Sequence, residues 1–209
     1  MWNLIGIIAW AGLLAYLIFV IVNIRSRHLR MLVRHQQARA WRTVLIDVLE
    51  LLVLVAAAYG MVWVTWLRPV DYTDRAAVSV AYRYDKLIIQ PDASQSYYVT
   101  VESGNGKTPT RYYTYWTAGA KNQVTSRNAD LSTSTGPLSI KASGYPWDVQ
   151  KLADLDRTAE RAWVAVFTST YKPTWLNGLG MHVGHSAGRF DLIRVPNETV
   201  VKVLPLDRN

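Results

Sequence analysis

The stretch LNGLGMHVGHSAGRF, residues 176–190, gathers two histidines, a serine and four glycines. His182 and His185 have the H-x-x-H spacing of a pair of metal ligands, but neither a cysteine nor a nearby glutamate completes the set, so no metal is assigned. Ser186 beside either histidine would need a base, an orienting carboxylate and an oxyanion hole in register. Gly184-His185-Ser186-Ala187-Gly188 is not taken as a nucleophile elbow, a motif that counts only in its strand-turn-helix context. A glycine-permitted loop between strands is the simpler expectation, with His182, His185 and Ser186 kept as a weak alternative site. No catalytic residue and no cofactor is assigned.

Five tyrosines form the second constellation: Tyr97, Tyr98, Tyr112, Tyr113 and Tyr115. Neighbours on a strand point to opposite faces, so one face can be core and the other exposed. Exposed rings among cations suit an anionic wall polymer or a partner membrane protein, because such rings offer contact area at low entropy cost. Strand propensity favours tyrosine in any case.

The third constellation is basic. IRSRHLRMLVRHQQARAWR, residues 24–42, holds Arg25, Arg27, Arg30, Arg34, Arg39 and Arg42, with no lysine and no acid. No nucleic-acid-binding fold accompanies it, and a loop tethered at both ends has little reach, so nucleic acid is not expected as a partner. Topology and attraction to anionic membrane lipids account for the arginines.

The elements around these residues explain why. Leu4 to Val22 is nineteen residues without a charged side chain. At about 1.5 Å per residue that nearly crosses a hydrocarbon core of roughly 30 Å. Val44 to Leu67 is a second run of twenty-four, interrupted only by Asp47 and Glu50 near its start. Two spans at about 4–22 and 44–67 leave 25–42 as a short loop, and short arginine-rich loops stay cytoplasmic. Both termini then lie outside. The arginines follow the first run rather than precede it, so it is expected as a retained anchor, not a cleaved signal. Trp2, Trp63 and Trp66 fall at the outer interface and Trp41 at the inner one. Asp47 and Glu50 share a face at shallow depth, where the helix dipole and Arg39 or Arg42 would anchor them; a partner site is the alternative. The pairs Ala11/Ala15 and Ala56/Gly60 allow close helix approach, either within the chain or in a homodimer.

Beyond Arg68-Pro69 the periodicity changes. Val78, Val80, Tyr82 and Tyr84 alternate with Ser79, Ala81, Arg83 and Asp85, a strand with one buried face. Tyr97, Val99 and Val101 repeat it, and Asn105-Gly106 with Arg111 to Thr117 reads as a hairpin. Ala118 to Leu138 reads as loops and an edge strand. Asp148 caps one short helix with the stripe Val149, Leu152, Leu155 and Ala159. Ala162 to Tyr171 is a strand, and RFDLIRV and TVVKVL bracket Pro196-Asn197-Glu198 as a hairpin. The expected architecture is a membrane protein: a transmembrane helical hairpin over 1–69, then a mostly β (α+β, one short helix) extracytoplasmic domain over 70–209. The chain has no cysteine, so this domain holds together through its core alone.

This layout, with stretches such as YTYWTAGAKNQVTSRNADLSTSTG, resembles the uncharacterised small two-span membrane proteins of lactobacilli. The resemblance implies a location on a Gram-positive cell membrane and carries over no functional residue. Residues 176–190 are also similar to the His-Gly and Ser-His-Gly-Cys segments of cell-wall L,D-transpeptidases, but the cysteine nucleophile of that family is absent. The leading expectation is a non-enzymatic surface protein whose outer domain binds an envelope component or partner protein. An envelope hydrolase using residues 182–188, and a sensor signalling through the arginine loop, are the alternatives.

Overall fold

The structure is a computed structural model describing residues 1–34, 40–93, 95–103, 110–158 and 161–205. The chain divides into two compact units, Met1–Asp71 with Tyr171–His185, and Tyr72–Thr170 with Ser186–Asn209. The excursion Tyr171–His185 thus leaves the segment expected as one outer domain and clusters with the helices.

In the first unit, α1 (Asn3–Arg34) and α2 (Ala40–Val62) are each long and apolar enough to cross a membrane. Their residues shielded from surroundings recur every three or four positions: Gly6, Ala9, Leu13, Tyr16, Val20, Asn23 and Arg27 on α1, and Thr43, Asp47, Glu50, Leu54, Ala58, Met61 and Thr65 on the second helix and its end. That is the seam of two helices packed side by side. Trp10 meets Trp66 at one end of the seam, ring centroids 5.6 Å apart, and Asn23 meets Glu50 toward the other, so the helices run antiparallel. A π-helical turn, Trp63–Leu67, finishes α2, and Arg68 closes it by donating its N–H to Trp63 O at 2.8 Å. Pro69 follows and has no N–H to continue the ladder. Ala11, Ala15, Ala56 and Gly60 all lie outside the seam. The small pairs therefore do not mediate packing among the described residues: they face away from the seam, and a Cβ on Gly60 would meet nothing within 4 Å.

The second unit has three layers. One sheet runs β1-β6-β7-β5, with β1 (Val78–Lys86), β5 (Ala129–Thr133), β6 (Trp163–Tyr171) and β7 (Ser186–Val195). The other runs β4-β3-β2-β8, with β2 (Val99–Ser103), β3 (Arg111–Thr117), β4 (Ala120–Thr125) and β8 (Val201–Pro205). Between the sheets lie Val99, Val101, Tyr113, Tyr115, Val164, Val166, Ile193 and Val195. On the far face of the first sheet, Phe167 and Phe190 are sealed under Tyr145, Trp147 and Leu152. Each fully buried ring of this kind contributes about 3 kcal/mol. The latter three come from α4 (Val149–Arg157) and the turn that joins it to α3 (Ile140–Ser143). Buried Arg194 ties this layer down, donating to Asp156 Oδ2 at 2.8 Å, Ser132 Oγ at 3.2 Å, Ser134 O at 3.1 Å and Gly136 O at 3.0 Å.

Several local expectations change. Among the described residues three short α-helices, including α5 (Trp175–Leu179), and a 3-10 turn at Glu198–Val200 stand where one helix was expected; Asp148 does cap α4, accepting from Lys151 N at 3.1 Å. Ala159, Asn105 and Gly106 lie outside the described residues. The segment 118–138 supplies two edge strands, β4 and β5, in different sheets. The expected C-terminal hairpin does not form. β6 and β5 already occupy both edges of β7, so β8 crosses to the other sheet and pairs parallel with β2, Val201 opposite Val99 and Val203 opposite Val101.

Candidate functional site

The alternation along β3 sorts the tyrosines. Tyr113 and Tyr115 face the inter-sheet core, at 7% and 0% exposure, and Tyr98 is buried at 8%. These three are withdrawn as binding residues, because an apolar core needs their rings more than solvent does. Burial pushes the Tyr113 hydroxyl above its ordinary pKa, and for Tyr115 burial acts first, with the negative charge of Asp191 adding to it.

Tyr112 and Tyr97 remain partly exposed. On β3 the face of Tyr112 also carries Trp116, four residues on, with Thr114 between them. Trp116 pairs across the ladder with Lys121, whose Nζ lies 5.6 Å from the indole centroid. Tyr97 meets Trp116 edge to face at 6.1 Å, and Lys202 Nζ sits 5.3 Å from the Tyr97 ring. Lys202 is oriented by an ion pair with Asp92. That contact lowers the Asp92 pKa and raises that of Lys202, chiefly through the hydrogen bond between them. The outward face of the second sheet is therefore a row of two aromatic rings flanked by two ammonium groups. Trp116, Lys121 and Lys202 were not singled out from sequence; the period of two along RYYTYWT, which puts Trp116 opposite Tyr113 and Tyr115, was the available signal.

The histidine segment lies against the helices. Asn3 donates from Nδ2 to Val183 O at 3.1 Å and accepts from Val183 N at 3.1 Å. The His182 ring stacks on Tyr171 at 4.8 Å, and the His182 backbone N–H donates to Asn177 O at 2.8 Å. Gly184 has φ of 81°, a left-handed conformation that a side chain would strain. Gly184-His185-Ser186-Ala187-Gly188 does have the G-x-S-x-G spacing, and geometry decides against an elbow. Ser186 opens β7 opposite Thr170 instead of ending a strand, and the chain continues from it as strand to Val195 rather than turning into a helix at the serine. Nor is Ser186 strained: among the described residues only Arg161 and Met181 are non-glycines with positive φ. Among the described residues, no group of three His, Cys, Asp or Glu is placed to hold a metal.

Of the six arginines, Arg27 turns into the helix seam, where it pairs with Asp47 Oδ1 at 2.6 Å and with Glu50 Oε1. Among the described residues it is Arg27, not Arg42, that pairs with the two acids, because the three residues share the seam spacing. Asn23 Nδ2 adds a bond to Glu50 Oε1 at 2.9 Å. Arg25, Arg30 and Arg42 are exposed; the Arg34 side chain and Arg39 lie outside the described residues.

A family model matches residues 1–202, that of an uncharacterised family named after a lactobacillus locus. Neither the comparison with curated proteins nor that with solved structures finds a match.

Proposed function

The chain belongs to this uncharacterised family, and we propose that it is a two-pass membrane protein whose β unit binds an anionic polymer of the cell envelope. In this reading α1 and α2 are the spans, the arginine-rich connection is cytoplasmic, and both termini are outside. One observation carries the binding assignment: Tyr97 and Trp116 share an outward face with Lys121 and Lys202. A polyanion gains from the ammonium groups, and the rings supply contact area that salt does not screen. No catalytic step is assigned, since Ser186 and the histidines lack the geometry that one would need.

The test is co-sedimentation of the detergent-solubilised full chain with isolated Gram-positive cell walls, before and after extraction of their anionic polymers. Binding should require the polymer and weaken with added salt. Trp116→Ala should reduce the salt-resistant part by about 1 kcal/mol, roughly fivefold in affinity. Equal, negligible sedimentation with both wall preparations would end the polymer assignment and leave a partner protein. Protease added to intact spheroplasts should cut the β unit; protection of that unit would reverse the topology.

A further inference from the structure

The excursion Tyr171–His185 contains, from Pro173 to His185, no acidic residue, lysine or arginine. Its helix α5 does not sit clear of the apolar helices but beside them. A Cβ on Gly6 would meet Leu179 O at 2.5 Å, one on Gly178 would meet Trp2 O at 2.7 Å, and one on Gly180 would meet Val64 O at 2.9 Å. Gly6 lies within the uncharged run that begins at Leu4, so the backbone of α5 runs at the level of the first turns of α1 and the last of α2. Bare backbone at these positions is what permits the approach.

The outward side of α5 is apolar. Trp175 is 60% exposed and Leu176 39%, on the same unit as exposed Trp2, Trp63, Trp66 and Leu67. Several polar groups of the excursion are meanwhile bonded within this unit, with Asn177 fully buried and His185 left exposed beyond α5. Thr174 Oγ1 caps α5 by accepting from Asn177 N at 3.3 Å, and Asn177 Nδ2 donates to Lys172 O at 2.9 Å. Asn3 satisfies both backbone groups of Val183. A segment without Lys, Arg, Asp or Glu, with an exposed tryptophan and its backbone largely bonded internally, suits the membrane boundary, where tryptophan concentrates and the adjoining hydrocarbon offers no water to unmet polar groups.

We propose that α5 is a third membrane contact, an interfacial element in the leaflet that receives the start of α1, with Trp175 and Leu176 seated at the headgroup-acyl boundary. This rests on the reading of α1 and α2 as spans. The partner is the lipid surface itself, since the apolar patch is continuous with the ends of the two apolar helices.

The cysteine-free chain allows single nitroxide labels on the full-length protein in phosphatidylglycerol-phosphatidylcholine vesicles. Leu176→Cys and Trp175→Cys report on α5, Ile18→Cys on mid-span and Ile140→Cys on a site 94% exposed in α3. The ratio of oxygen to nickel-chelate accessibility should be several-fold higher at 175 and 176 than at 140, and highest at 18. Labels at 175 and 176 that match 140, with 18 buried in lipid, would overturn this inference and leave the spans intact. A water-like label at 18 would instead overturn the membrane reading, and the placement of α5 with it.

Discussion

The hydroxyl of Tyr115, on β3, donates to Asp191 Oδ2, on β7, at 2.7 Å, joining the two sheets through a carboxylate with no solvent exposure. Arg189 completes the group with Nε and Nη2 at 3.1 and 3.2 Å from the same carboxylate. A buried charge is tolerable only when paired in this way. Tyr115→Phe keeps the ring and removes the bond, and should lower unfolding stability by about 1.5–3 kcal/mol, the range for a hydrogen bond to a charged group. Guanidinium titration of the detergent-solubilised chain measures it; an unchanged midpoint would mean that the bond contributes nothing net.

The same burial sets an alkaline limit. Tyr82, Tyr84, Tyr113, Tyr115 and Tyr145 all have pKa values raised in the folded state, in each case first by burial. Below about pH 10 these hydroxyls are neutral in both states and their contribution is fully present. Above it the unfolded chain loses protons that the folded one keeps, so stability falls as pH rises. Denaturation midpoints from pH 8 to 12 should be flat and then descend, and Tyr113→Phe should soften the descent. A flat profile to pH 12 would contradict the assignment.

Arg27 holds two acids in the helix seam with side-chain exposures of 20% for the arginine, 12% for Asp47 and 18% for Glu50. Arg27→Gln removes the guanidinium that both carboxylates share, leaving Asp47 only His28 at 3.8 Å, and should destabilise the helical unit by about 2–3 kcal/mol, below the full cost for a dry site. Adding Asp47→Asn and Glu50→Gln should recover most of the loss. Thermal melts in micelles followed by circular dichroism distinguish the two; a triple variant as unstable as the single one would show that packing, not charge, is at stake.

Asn3 clamps Val183 through two 3.1 Å bonds. Asn3→Ala should free that end of the excursion, raising amide exchange at Val183 by about tenfold, equivalent to roughly 1.4 kcal/mol, while β6 and β7 stay protected. Exchange-mass spectrometry of the full chain reads this directly, and unchanged protection of residues 177–183 would show that the glycine contacts suffice.

Much of this protein is local and was therefore legible in its sequence. The uncharged runs from Leu4 to Val22 and from Leu51 to Leu67 mark the apolar stretches of α1 and α2, because each is longer than an ordinary strand and carries no proline or turn cluster to break a helix. Period-two alternation determines β1 and the two faces of β3, and the N-cap oxygen of Asp148 determines where α4 starts. What the alternation could not say is which face is inward: Tyr113 and Tyr115 look as exposed in sequence as Tyr112. Only pairing of β3 between β2 and β4, against a second sheet, buries one set and leaves the other beside Trp116 and two lysines. The same holds for β8, whose partner depends on which edges are already taken, and for Arg27, whose acids lie 20 and 23 positions away. The histidine segment is the clearest case. Its glycines announce a turn, but whether that turn opens an active site or lies along two helices depends on carbonyl oxygens of Trp2 and Val64, more than 100 residues distant, which only the folded chain brings within 3 Å of where a side chain would stand.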